Sequence, residues 1–150
     1  MMATTHALVG AAVGAVAGVL APESAPLLVV GGVLGGLVPD LDLYAGHRRT
    51  LHYPVYAPAV ALLVGVAWLL VPSPWLLLAA VVAAAIALHA VMDVFGAGLE
   101  LRPWEGRSER AVYDHHRETW IRPRRWVRYD GAPEDLAIAV VVGAPLAVDG

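Results

Sequence analysis

The first 92 residues carry only five charged side chains, Glu23, Asp40, Asp42, Arg48 and Arg49, whereas the rest of the chain carries eighteen. A water-soluble domain needs charge spread over its whole surface, while a bilayer solvates long uncharged stretches without penalty. Hydrophobic residues make up 59% of the chain, against roughly 45–50% in soluble domains. This asymmetry predicts an integral membrane protein, and 150 residues suit a single domain. With no cysteine in the chain, disulfides and thiolate metal sites are excluded. A cleaved signal peptide is not expected, because no basic stretch precedes the first apolar run. The net charge of −3 is too small to indicate a partner.

Breakers divide the apolar part. Ala21-Pro22-Glu23-Ser24, Pro39 and Pro72-Ser73-Pro74 separate segments at about 5–20, 26–38, 55–71 and 75–93, and a fifth at about 135–148 follows the polar stretch 94–134. Pro133, Glu134 and Asp135 suit the first turn of that last helix. At 1.5 Å per residue the third and fourth segments reach roughly 25–27 Å, nearly a hydrocarbon core of about 30 Å. The first two are expected to be shorter, about 20 Å each. Gly10, Gly14 and Gly18, the pairs Gly31/Gly35 and Gly32/Gly36, and Ala79, Ala83 and Ala87 recur every four residues. Small residues at that period let helices approach closely in lipid. The expected fold is all-α: a compact integral membrane bundle of four to five apolar helices with a polar, Arg- and Trp-rich cytoplasmic segment.

If the first four segments each reverse the chain, the N-terminus, the 39–54 loop and everything after residue 92 share one side. All ten basic residues, every one an arginine, then fall on that side. The positive-inside rule makes it cytoplasmic in a multi-pass membrane protein. The same folding gathers His6, Asp40, Asp42, His47, His52, His89 and Asp93. Imidazole and carboxylate suit zinc or a similar first-row ion, and His89 and Asp93, at i and i+4, share a helix face. Singly, each has a plainer reading. His6 is a cap or interfacial residue, Pro39-Asp40-Leu41-Asp42 a helix-stop turn, His89-x-x-x-Asp93 a chance spacing, and Arg48 and Arg49 interfacial anchors. Jointly they point to a metal site.

The blocks Thr5-His6 with Gly10, Gly35-Gly36-Leu37-Val38-Pro39-Asp40-Leu41-Asp42, His47-Arg48-Arg49-Thr50-Leu51-His52, and His89-Ala90-Val91-Met92-Asp93 with Gly98 and Pro103-Trp104 resemble the YdjM-like family. Its members are inner-membrane proteins assigned as metal-dependent hydrolases and described in some bacteria as LexA-associated. The resemblance covers residues 4–105. The third block departs from the family's usual Gly and Thr-His-Ser, having Arg49, Leu51 and Tyr53. A weaker similarity links the early His, the Asp, the His and the His-x-x-x-Asp to zinc-dependent phospholipase C and related single-strand nucleases. Only His115, His116, Glu100 or Glu105 loosely match their downstream ligands, so a trinuclear site is not expected.

The resemblance implies a membrane-bound hydrolase of an ester or phosphoester, with a phospholipid or other lipid-like substrate in view. The expected ligands of one or two divalent ions, zinc foremost, are Asp40, His52, His89 and Asp93, with His6 joining if Asp93 bridges two ions. Asp42 is expected to orient water or to fix the tautomer of a ligand histidine. His47 would protonate a leaving group, and Arg48 or Arg49 would hold an anionic oxygen. The Arg- and Trp-rich stretch 120–129 reads as an interfacial belt on anionic lipid rather than a nucleic-acid surface. The alternative is a non-catalytic membrane protein whose metal staples the helix ends and whose Arg-rich segment docks a regulatory partner. Metal or proton transport, which wants ionisable groups deep in the spans, has no such group between Tyr53 and Leu88.

Overall fold

A computed structural model describes residues 1–148. Among the described residues five α-helices form: α1 (Ala3–Leu20), α2 (Ala25–Leu37), α3 (Tyr56–Leu70), α4 (Pro74–Val94) and α5 (Pro133–Val148). α1 ends where Pro22 forces Ala21 out of the helical region (φ −143°, ψ 74°). α2 and α4 each open on a proline in the first turn, where the missing N–H costs nothing. At Pro39 the backbone tightens from α2 into a 3-10 helix over Val38–Tyr44. α1 to α4 are apolar around nearly their whole circumference, as expected of helices solvated by lipid.

Three helical stretches are long and apolar enough to cross a membrane: Ala3–Leu20, Pro22–Tyr44 and Pro74–Val94. Helix lengths differ from the expectation drawn from the breakers. α1 begins at Ala3 and reaches about 27 Å, whereas α3, with 15 residues, reaches only about 22 Å. The N-terminal pair is therefore not the short one: α3 loses Val55 to the turn before it and Val71 at its other end, while the 3-10 turn prolongs α2.

Glycine sets the packing. A Cβ on Gly10 would fall inside the Gly32 carbonyl, and one on Gly32 inside that of Gly10. Gly14 meets the Leu28 carbonyl and Gly36 that of His6 in the same way. The pairings run in opposite order along the two helices, so α1 and α2 are antiparallel with their backbones in contact. Gly31 and Gly35 receive Leu78, Val82 and Ala85 of α4. α5 packs on α1, while α3 packs on α4 and makes no comparable contact with α1, α2 or α5. Leu28, Leu77 and Val81 form the apolar core at the end holding the two short turns. At the other end the fully buried side chains include His6, His52, His89, Asp42, Asp93 and Asp135.

The polar stretch holds an element that charge patterning did not foretell, a hairpin of β1 (Val112–Asp114) and β2 (Thr119–Ile121) pairing Tyr113 with Trp120. It joins the 39–54 loop through Tyr113 N–H to the Arg48 carbonyl, 2.9 Å. Beyond it the N–H groups of Arg124, Arg125 and Val127 reach the carbonyls of Val94, Gly96 and Phe95 at 2.8, 3.1 and 3.1 Å. These carbonyls would otherwise be left unpaired where α4 ends. Asp135, fully buried, accepts from Met2 N–H, Thr5 Oγ1 and Gly131 N–H, tying α5 to the start of α1.

Since a side chain at Gly32 would meet backbone that cannot rotate away, Gly32→Val should cost about 3 kcal/mol and lower the melting temperature in detergent by on the order of 10 °C. Gly65→Val, with nothing within 4 Å of its Cβ, should leave it within a degree or two. Equal melting of the two variants would show that backbone contact does not hold α1 to α2.

Candidate metal centre

Asp40 on the 3-10 turn, His52 in the following loop, and His89 and Asp93 on the last turns of α4 bring one ligand atom each within 4.8 Å of one another. His52 Nε2 and His89 Nε2 are 3.1 Å apart. Asp93 Oδ2 lies 3.3 Å from the first and 3.6 Å from the second, and Asp40 Oδ1 is 3.4 Å from His89 Nε2. Tetrahedral coordination at 2.0–2.1 Å sets neighbouring ligand atoms about 3.3–3.4 Å apart, close to these separations.

Hydrogen bonding fixes which ring nitrogens are available. His89 Nδ1 donates to the Gly36 carbonyl at 2.6 Å, an acceptor that cannot donate in return. His52 Nδ1 donates to Asp42 Oδ2 at 3.1 Å. With both protons on Nδ1, both Nε2 lone pairs point into the same space, beside two carboxylate oxygens. Four converging electron pairs repel unless a cation lies among them, and an acceptor behind each ligand histidine is the usual arrangement at metal centres. The mixed nitrogen and oxygen donor set suits a first-row divalent ion better than calcium, which takes oxygen ligands.

Asp42 stands behind the quartet. Besides His52 it accepts from His47 Nδ1 (3.0 Å), Leu51 N–H (3.0 Å) and Arg48 N–H (3.3 Å). Of the two roles expected for it, the geometry is that of fixing a histidine tautomer. One carboxylate thus folds the loop from His47 to His52 around itself. His47 remains partly exposed, with its side chain at 26%.

Arg48 is neither an interfacial anchor nor a free arm. It takes a left-handed backbone (φ 58°) and is buried at 4% exposure. Nη1 donates to the Ala97 carbonyl at 2.7 Å, and Nε lies 3.3 Å from Asp93 Oδ2. Arg49 is exposed, its guanidinium 4.5 Å above the Tyr113 ring. His6 stacks on His89 with centroids 3.7 Å apart and reaches Asp93 Oδ1 through Nε2 at 3.1 Å. It stands outside the four, on the carboxylate oxygen they do not use, and its buried Nδ1 has no hydrogen-bond partner. The Met1 amino group lies 2.9 Å from the same Oδ1.

Other candidates lie apart. His115 Nε2 donates to the Arg49 carbonyl and its ring stacks on Tyr53. Glu100 accepts from Arg107 N–H, and Glu105 pairs with Arg102 and Arg107. In the 120–129 stretch Arg122 and Arg125 face Glu109, and Trp126 is 71% exposed. The Gly36 carbonyl, the Ala97 carbonyl and Asp130, 4.0 Å from Arg48, were not singled out from sequence. Backbone acceptors leave no residue-type signal, though the close-packed Gly35-Gly36 pair hinted at exposed backbone.

Zinc titration of the purified chain should find one tight site that is lost in His89→Ala and in Asp93→Asn and kept in His115→Ala. Asp42→Asn should weaken it about 10–100-fold, the usual effect of removing the acceptor behind a ligand. Unchanged affinity in the first two variants would mean that the quartet binds no ion.

The protein-family model described as YdjM inner membrane protein matches residues 1–123. Neither a curated protein nor a solved structure matches.

Proposed function

The chain belongs to the YdjM inner membrane protein family, and from that premise we propose that it is a multi-pass membrane hydrolase that cleaves an ester or phosphoester with a divalent ion, zinc foremost. The observation that carries the reading is the pair of Nε2 atoms 3.1 Å apart, each on a ring whose Nδ1 is held by an acceptor, and flanked by Asp40 and Asp93. An ion held by these four would supply Lewis acidity and would lower the pKa of coordinated water to roughly 7.

The chain's own groups divide the remaining work. Asp42 holds His52 with Nε2 free. His47, the partly exposed member of the cluster, is oriented through Nδ1 by the same carboxylate, an imidazole–carboxylate pair suited to handing a proton to a leaving oxygen. Arg48, pinned between Asp93 and the Ala97 carbonyl, holds Asp93 in place. Arg49, exposed at the loop's edge, is left to meet an anionic oxygen of the substrate. Asp40, whose side chain is 26% exposed while the other three ligands stand at 2% or less, is the open edge through which substrate reaches the centre. The arginines of the loop and the polar segment support a cytoplasmic location by the positive-inside rule.

The burial of three ligands favours a second reading, a structural ion that staples the helix ends beside a partner-docking Arg-rich segment. The two differ in exchange: a closed structural site releases its ion slowly, whereas a catalytic one keeps an open position.

Turnover of phosphodiester and phospholipid reporters should fall to background in Asp93→Asn and His89→Ala. In His47→Gln kcat should fall about 10²–10⁴-fold with metal content unchanged. Full turnover in the two ligand variants would remove this centre from catalysis, and full turnover in His47→Gln alone would remove only the proton donor.

A further inference from the structure

Between α3 and α4 runs a groove of about 270 Å³, lined by Tyr53, Tyr56, Ala57, Val60, Ala83 and Ile86. Apart from the two tyrosine hydroxyls these side chains are wholly apolar. One end meets the candidate centre: Tyr53 follows His52 in the chain, and Ile86 lies one helical turn before His89 on the same face. That end is also basic and aromatic. His115 stacks on Tyr53 at 4.5 Å, His116 meets the Tyr56 ring edge-on at 6.2 Å, and His115 bonds the carbonyl of Arg49. Asp114, the acidic neighbour, is buried and turned toward the N–H groups of His116 and Arg117.

We propose that this groove seats one acyl chain of an anionic phospholipid, with the phosphate at the end marked by Arg49 and His116. Size selects the occupant. Two to three turns of a helix about 10 Å across fill on the order of 1,000 Å³, far more than the groove holds, whereas a single hydrocarbon chain is slender enough. Location selects its source. Among the described residues α3 packs chiefly on α4 and buries no residue, so in a bilayer its outer flanks are bathed in lipid tails. Polarity selects the head group, because Tyr53 and Tyr56 at that end carry His115 and the exposed His116 against their rings, and His115 in turn bonds the backbone of the exposed Arg49. The groove rests on the proposed function only for its purpose, which is to bring a lipid ester sideways to the Asp40–His52 edge. Occupancy by lipid is independent of turnover.

The full chain in nanodiscs of phosphatidylcholine, doped with phosphatidylglycerol bearing a photoreactive group on one acyl chain, tests this. After irradiation, peptide mass spectrometry should find the label concentrated on Tyr56–Val60 and Ala83–Ile86. Ala83→Trp should abolish labelling there and leave zinc content unchanged. Arg49→Gln should reduce the preference for phosphatidylglycerol over a phosphatidylcholine probe about fivefold, the weight of one basic residue at an anionic surface. Even labelling around all apolar helices in the unsubstituted protein would overturn the proposal, because the lipid would then be solvent only. Absence of groove labelling, with a bifunctional reagent instead crosslinking two copies through Tyr56–Val60, would also overturn it, in favour of a second copy. Groove labelling without reporter hydrolysis leaves the lipid site standing and counts against the hydrolase.

Discussion

The protein is organised around the carboxylate of Asp93. Burying an ionised group costs several kcal/mol after relaxation, and its side chain is only 2% exposed. The cost is offset by Arg48 from the 39–54 loop and by His6 and the Met1 amino group from the start of α1, while Oδ2 faces Nε2 of His52 and of His89 across the candidate metal centre. These partners come from stretches far apart in the chain, so satisfying this one charge draws the loop, α1 and α4 together. Asp42 does the same on a smaller scale, folding the residues from His47 to His52 onto itself.

Such convergence needs helices that approach more closely than ordinary side chains permit. The glycine contacts between α1 and α2 supply it, and they extend to the site, where Gly36 meets the backbone of His6 and offers its carbonyl to His89. In lipid, apolar surface has little drive to leave its surroundings, so close packing and buried polar contacts carry more of the association. The result inverts a soluble core. Leu62, Leu63, Leu69 and Leu70 lie outside, while at one end histidines and aspartates fill the interior. The polar segment then covers this end by taking up the last carbonyls of α4.

The general form of the site was legible because charge is so scarce in the first 92 residues. When a nearly uncharged chain keeps His6, Asp40, Asp42, His52 and His89, and turns polar at Asp93, each is costly to place in lipid and points to a shared purpose. The fate of Arg48 was not legible. An arginine next to a second arginine at a predicted interface reads as an anchor or a substrate arm, and only its left-handed backbone turns it inward onto Asp93. The hairpin escaped notice because strands of three residues carry almost no periodic signal.

Hydrophobic runs, their breakers and the spacing of glycine determined from sequence alone that this is a bundle of membrane helices, because lipid admits few other ways of satisfying a backbone. They also determined that the ionisable residues gather at one end, because chain reversals leave no alternative. Which nitrogen of each histidine faces inward, which aspartate supports and which converges with the ligands, and which arginine is buried were decided only in three dimensions. Those choices depend on carbonyls and backbone angles that have no letter in the sequence.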